Sequence, residues 1–454
     1  MRLPSECHCH EKMHELDGPL RPAAGHGESC HKRLGGASPR LALALLLSAL
    51  IGACASPGYE SKPWPPRPAD RPAPVEEPVR PLPAEPAPAP PVPVPVPAPP
   101  APVPPPAPAP REGKAEVLRL LPAGIPDRAG WAADIAAAFA ALRIPTTASN
   151  VCAAIAVIEQ ESSFQADPVV PGLSRIAWNE IEARRKRYGV PRAVLDAALA
   201  KSSPDGRSYK SRIDALRTER QMSALFEDMI AELPYGENLF ARYNPVRTGG
   251  PMQVGVRFAE EQVRAAPYPY PHAANVRHEV FTRRGGVYFG IAYLLDYPAP
   301  YEEPLYRFAD FNAGRYSARN AAFQSALAKV ARRRLDLDGD LLRYDPGGAP
   351  AQEPSQTQRA LDAIAPRLRM SRAEMQRDLA LEKSPAFQDT PLYRRVYALT
   401  GQPGGEKPPR AVLPQIDLKS PKFRRKLTTE WFARRVAARH AACLARDAHK
   451  AAGL

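Results

Sequence analysis

The chain has 454 residues, a formal net charge of +14 and 56 prolines. That balance suits an acidic partner: peptidoglycan with its stem-peptide carboxylates, an anionic membrane surface, or nucleic acid. No zinc-finger, RNA-binding or helix-turn-helix signature is present, and an export signal argues further against nucleic acid.

Residues 1–39 carry Cys7, Cys9 and Cys30 with His8, His10, His14 and His31. Cys-x-Cys-His is a metal-capable spacing, but the segment reads as an over-long n-region, and no metal site or cofactor is expected. Arg40 precedes an apolar run, Leu41 to Cys54, too short to span a bilayer. Its order of charge, apolar core and small residues is that of a secretory signal. Ile51-Gly52-Ala53-Cys54 resembles a lipobox, so Cys54 is expected to carry lipid. Ala55-Ser56 follow it without an Asp, which favours the periplasmic face of the outer membrane. Residues 57–110 are dominated by Pro, Ala and Val. Pro lacks the amide donor that helix and sheet require, so this is a disordered polyproline II tether. About 50 residues at ~3.1 Å each reach on the order of 150 Å, enough to carry a folded unit toward the cell wall.

The folded part starts near Gly113. Trp131 to Leu142 reads as a helix, broken at Ile144-Pro145. Thr147 or Ser149 can cap the next one, which runs into AAIAVIEQESSFQAD, Ala153 to Asp167. That helix is apolar all round, hence central, and is expected to stop at Pro168. Glu159 and Glu161 lie at its end, and helical spacing does not choose between them. Residues 168–248 read as an insert of helical hairpins: Arg184 to Tyr188, Arg192 to Lys201 and Ser211 to Leu233, with a turn at Ser203 to Gly206. Asn244 to Val254 is a Gly-rich loop in which Gly249 and Gly250 would let backbone approach a sugar. Further helices are expected at Val256 to Val263, Gly286 to Tyr297 and Ser317 to Arg333. Tyr268 to His272 is a rigid aromatic loop, suited equally to sugar stacking and to packing. Asp336-Leu337-Asp338-Gly339-Asp340 hints at calcium, but Leu341 stands where the turn Gly belongs and no Glu closes the loop, so it reads as a hydrogen-bonded turn. The remainder is charged and helical: Gln358 to Arg367, Ser371 to Glu382, Pro391 to Leu399 and Arg424 to Arg446, with a basic stretch at Lys419 to Lys426.

Ile158 to Phe164, I-x-Q-E-S-x-F, resembles the catalytic signature of lytic transglycosylases and goose-type lysozymes. Gly250-Pro251-Met252-Gln253-Val254 is similar to that family's G-L-M-Q-V. Gly290 to Leu294 resembles its G-x-x-Y-L helix, and Asp310-Phe311-Asn312-Ala313-Gly314 its A-Y-N-A-G. The four come in the family's order. The resemblance implies a mainly α, lysozyme-like core over residues 113–346, interrupted by the insert 168–248 and followed by a charged helical extension, 347–454. Residues 1–53 and 54–112 precede it as signal peptide and lipidated linker. The stretch after the linker also resembles uncharacterised Gram-negative lipoproteins, domain of unknown function 1615, which imply no activity of their own.

By the resemblance, Glu161 is the catalytic acid, Ser162 helps to fix it, and Met252, Gln253, Tyr293, Phe311 and Asn312 line the substrate site. A Glu at the end of an apolar helix loses solvation, which raises its pKa and keeps it protonated. In lytic transglycosylases a single Glu protonates the glycosidic oxygen and then takes the proton of the sugar's own C6 hydroxyl. The product is a 1,6-anhydromuramyl end. The partner implied is peptidoglycan, with the membrane reached through the lipid. Three positions depart from the pattern. Pro251 stands where the family has Leu, Phe311 replaces the family's Tyr, and Asp310 is new, either a water-placing carboxylate or a surface or capping Asp. The alternative is a non-catalytic lipoprotein that binds peptidoglycan or a partner through the same groove. Cys152 and Cys443, the cysteines downstream of Cys54, are candidates for a disulfide in an oxidising compartment.

Overall fold

The computed structural model describes residues 110–271, 275–345, 350–401, 407–418 and 427–451. The expected signal peptide, Cys54, the Pro-rich linker, His272 and the basic stretch 419–426 lie outside the described residues. Within them the fold is mainly α. The helices are α1 (Pro110–Leu120), α2 (Arg128–Leu142), α3 (Ala148–Ser162), α4 (Leu173–Arg187), α5 (Arg192–Ala200), α6 (Tyr209–Asp214), α7 (Glu219–Ala231), α8 (Gly236–Phe240), α9 (Val256–Ala265), α10 (Val276–Val280), α11 (Arg283–Leu295), α12 (Pro304–Ala313), α13 (Ser317–Ala331), α14 (Gln356–Leu368), α15 (Arg372–Leu379), α16 (Pro391–Thr400) and α17 (Thr429–Ala451). Two antiparallel hairpins of two-residue strands complete the order: β1 (Thr248–Gly249) with β2 (Val254–Gly255), and β3 (Asp417–Leu418) with β4 (Leu427–Thr428).

Local signals explain most boundaries. Thr147 caps α3 by accepting from the Asn150 amide. Capping boxes start α7 (Thr218 with Gln221), α14 (Ser355 with Gln358) and α15 (Ser371 with Glu374). The box at Thr218 is why the expected single helix Ser211 to Leu233 is instead α6 and α7. The short expected helix at Arg184 to Tyr188 is the end of the longer α4. The helix expected over Arg424 to Arg446 starts at Thr429, because Leu427–Thr428 pairs with Asp417–Leu418. A strand of two residues is too short for any periodicity to announce.

Three hydrophobic cores form. The first gathers α1–α3, the β1–β2 loop, α9, α11, α12 and α17. Here α3 is buried without a break from Val151 to Ile158. Burying side chains such as Ile155, Val157 and Ile158 stabilises by roughly 1.5–3 kcal/mol each. The second core joins α13 to α14–α16 through Phe323, Leu327, Ile364, Phe387 and Val396. The third belongs to the insert, where Leu173, Ile181, Leu195, Ile213, Leu225 and Met229 pack with Phe281 from outside it. The boundary expected at 346/347 is therefore crossed. α17 returns from the C-terminal extension to the first core with Phe432, Ala433, Val436 and Cys443, packing along α3 and α12. A disulfide joins Cys443 to Cys152 of α3, their Cα atoms 5.6 Å apart.

Candidate active site

α3 ends at Ser162, earlier than the stop expected at Pro168. Ser163 and Phe164 both adopt positive φ, 50° and 61°, and the Ser163 amide bonds the Glu159 carbonyl. This conformation is uncommon without glycine. It is held from outside the helix: the Phe164 ring meets Trp131 edge-on, with centroids 5.3 Å apart. Arg283 lies over the other ring of that pair, Trp131, and bonds Asp127 and Asp134. The sharp exit leaves Glu161 half-buried in the last helical turn. The buried Ser162 hydroxyl donates to the Ile158 carbonyl at 3.0 Å. Glu159 faces α17, where Arg439 Nε lies 3.5 Å from its Oε1.

The Gly-rich loop is used differently from the expectation. Gly249 and Gly250 are buried. A Cβ on Gly250 would lie 2.1 Å from the Val280 carbonyl oxygen, and its φ is +71°; one on Gly249 would strike the Phe281 ring. These glycines let the loop press against the Val280–Phe281 turn, rather than admit a sugar. Met252 is fully buried and fits against Gly290 of α11, whose missing side chain makes room for it. It is a core residue, so its expected contact with substrate is corrected. Gln253, at φ 50°, stays half-buried. Its amide donates to the Gly250 carbonyl at 3.3 Å, and the Thr248 hydroxyl meets its Oε1 at 3.5 Å.

Tyr293 and Phe311 pack edge-on at 5.5 Å between centroids. Both are buried, and Phe258 meets Tyr293 from the other side at 4.8 Å. Arg315, also buried, lies against Phe258, Tyr293 and Tyr297 and donates to the carbonyls of Ala292 and Tyr293. It ties the end of α11 to the loop after α12. Reading the sequence missed it, because nothing local marks an Arg that will lie among rings. Asn312 is half-buried; its Oδ1 accepts from the Thr429 hydroxyl of α17 at 2.8 Å.

Asp310 is fully buried. Its carboxylate accepts from the amides of Tyr316 and Ala318 at 2.8 and 2.7 Å, from the Tyr297 hydroxyl at 3.0 Å, and from the Tyr301 hydroxyl. It closes the start of α13 from six to eight residues upstream. A carboxylate so occupied is not free to place water, so the capping reading holds, though the cap is buried. Burial pushes its carboxyl up to about 7, against the pull of the two amides. Because the folded-state pKa is raised, this group's stability contribution is full below the unfolded value near 3.8 and is lost as pH rises through 7. Thermal unfolding of the purified chain should therefore show stability falling between about pH 4 and 7, a slope that Asp310→Asn removes while lowering stability throughout. A variant with the wild-type slope would contradict this.

The aromatic loop packs inward: Tyr268 stacks on Phe289 at 5.1 Å, and its hydroxyl donates to Glu279. The 336–340 segment is a hydrogen-bonded turn. Asp338 accepts from Gln324 and from the Asp340 amide, and Gly339 takes φ +79°. Among the described residues, no group of three or more His, Cys, Asp or Glu is placed to hold a metal, and no helix is long and apolar enough to cross a membrane.

Signature residues from α3, the β1–β2 loop, α11 and α12 thus meet in one core, with α17 laid across α3 and α12. A family model described as "Protein of unknown function (DUF1615)" matches residues 124–446. The chain belongs to this family. The "Uncharacterized protein YaiW" of Escherichia coli (strain K12) is 49% identical over 328 residues, which cover 72% of this chain and 88% of that protein. No solved structure matches the chain. The DUF1615 match runs from before α2 into α17. The insert and the C-terminal helix therefore lie inside the family's own unit.

Proposed function

We propose that this DUF1615 protein cleaves peptidoglycan glycan strands at the MurNAc-GlcNAc bond, with Glu161 as the single catalytic acid and base. The supporting observation is convergence: Phe164, Met252, Val254, Tyr293 and Phe311, from four separate signature segments, share one hydrophobic core. The resemblance to lytic transglycosylases implies such a gathering of these segments. Glu161 sits half-buried beside that core, in the last turn of α3. The protonated Glu161 gives its proton to the glycosidic oxygen as the bond breaks. The resulting carboxylate then takes the proton of the C6 hydroxyl, which closes a 1,6-anhydro ring without water. Asp310, filled by its donors, has no part in either step, in keeping with a one-carboxylate mechanism. Gln253 and Asn312, the half-buried polar residues of their segments, are the side chains suited to holding sugar groups. Analysis of the fragments that the purified chain releases from sacculi tests this reading.

A second reading is a non-catalytic lipoprotein that binds glycan through the same groove. Phe311 favours it, since the hydroxyl of the family's Tyr is absent. In either reading the protein is anchored at the periplasmic face of the outer membrane by lipid on Cys54. Cys54→Ser should move it from the membrane fraction to the soluble periplasm. Equal membrane retention of the variant, with no labelled palmitate in the wild type, would refute the anchor.

A further inference from the structure

One stretch of the insert projects apolar side chains into solvent. Tyr235, Leu239 and Tyr243 are 79%, 55% and 45% exposed. They stand at helical spacing along α8 and the 3-10 turn that follows it, Ala241–Tyr243, and so form a ridge. The ridge is pinned at both ends. A Cβ on Gly236 would lie 1.8 Å from the Ile230 carbonyl oxygen, so the start of α8 presses on the end of α7. Tyr235, just before it, takes φ 56°, which is uncommon without glycine. At the other end Asn244 is buried. It donates to the Ser223 hydroxyl at 3.1 Å and accepts from the amide of Val246, a member of the insert's core.

Large apolar side chains held together in water mark a docking face. The charges of this one are of both signs. Arg242 is exposed, lies 4.8 Å from the Tyr243 ring centroid and donates to its hydroxyl at 2.8 Å. Glu237 is exposed on α8. An anionic membrane gains little from so balanced a face. A fitting ligand has apolar rings at short intervals and charges of both signs between them. The chain itself supplies one: residues 57–109 hold proline at every second position from Pro91 to Pro97, with Glu77-Pro78, Glu85-Pro86, Arg67-Pro68 and Arg71-Pro72 before it. Aromatic surfaces take polyproline II segments, which arrive already ordered and so lose little entropy.

We propose that Tyr235, Leu239 and Tyr243 form the docking site of the chain's own Pro-rich segment, residues 57–109. The segment leads into α1, which starts at Pro110. About 50 residues at ~3.1 Å each reach on the order of 150 Å, against roughly 50 Å for the diameter of a compact unit of this size. The ridge is therefore within reach wherever it stands relative to α1. Attachment in one chain favours this ligand over a free competitor of equal affinity. The tyrosine rings and Leu239 take the prolines, Arg242 takes a carboxylate beside them, and Glu237 an arginine. Docking shortens the tether, and release lets the folded unit extend from its N-terminal end. None of this depends on cleavage at Glu161.

The test is photo-crosslinking of the full chain in growing cells, with p-benzoylphenylalanine in place of Leu239 and, as a control, in place of Val194, an exposed residue of α5. After illumination the chain is sized on a denaturing gel, digested and mapped by mass spectrometry. We expect the probe at 239 to join peptides from residues 57–109 in a species of monomer mass, and the probe at 194 to do so at least about tenfold less. Replacing Tyr235 and Tyr243 by alanine should cut the yield at 239 by about tenfold, the equivalent of 1.4 kcal/mol, in a variant that still melts as the parent does. Linking to a second copy at dimer mass, to lipid, to glycan or to another protein, with residues 57–109 left unlinked, overturns the proposal. So does an equal yield from the two probe positions, a yield unchanged by the double alanine variant, or no adduct at all.

Discussion

Replacing Cys152 and Cys443 together by alanine should lower the stability of the folded chain by about 5 kcal/mol. The bond spans 291 residues, and closing so long a loop removes much of the entropy of the unfolded chain. The native state loses little else, since both residues are fully buried small side chains. The effect should be concentrated at the C-terminus. α17 holds to the first core through Phe432, Ala433, Val436 and the disulfide. Amides of residues 427–446 should therefore exchange with solvent well before those of α3 in the double variant. Denaturant unfolding measures the first effect, and hydrogen exchange with mass spectrometry the second. An unchanged midpoint with unchanged protection of α17 would show that packing alone docks the helix. Peptide mapping of the unreduced wild type should recover Cys152 and Cys443 in one linked species.

Glu161→Gln should reduce release of muropeptides by roughly 10²–10⁴-fold, the usual worth of a positioned acid. Gln keeps the shape and much of the polarity of Glu but has no proton to give the leaving oxygen. Glu159→Gln is the control one half-turn away. It gives up the contact with Arg439, which is partly exposed on both sides and worth at most about 1 kcal/mol. Most turnover should remain. If Glu159→Gln is the inactive variant and Glu161→Gln is not, the acid has been assigned to the wrong carboxylate.

Several of these features were legible before any coordinates. A cap at Thr147 or Ser149 was readable from hydroxyl residues standing at the start of an apolar run, and Thr147 takes the role. The continuous burial of α3 follows from its lack of a polar face. The disulfide partners followed from there being two cysteines after Cys54. Other features were hidden because their cause lies far along the chain. Ser163 and Phe164 end α3 in a conformation no local rule favours; Trp131, on another helix, receives the Phe164 ring. Gly249 and Gly250 were correctly read as a place of close approach, but the approaching groups are Val280 and Phe281 rather than a ligand. Sequence cannot say whose atoms fill the space a glycine leaves. Asp310 is a cap for a helix that begins seven residues later, beyond the range of any capping pattern. The place of α17 in the first core was masked by its charge: Arg434, Arg435 and Arg439 suggest a solvated helix, while the alternate face holds Phe432, Val436 and Cys443.

The most direct test of the central claim is mass spectrometry of the soluble products after purified wild-type chain is incubated with sacculi. The account predicts muropeptides ending in 1,6-anhydromuramic acid, lighter by one water than their hydrolysed counterparts, and absent with Glu161→Gln. Reducing ends would contradict the one-carboxylate transglycosylase mechanism, and sacculi left intact by the wild type would contradict catalysis itself.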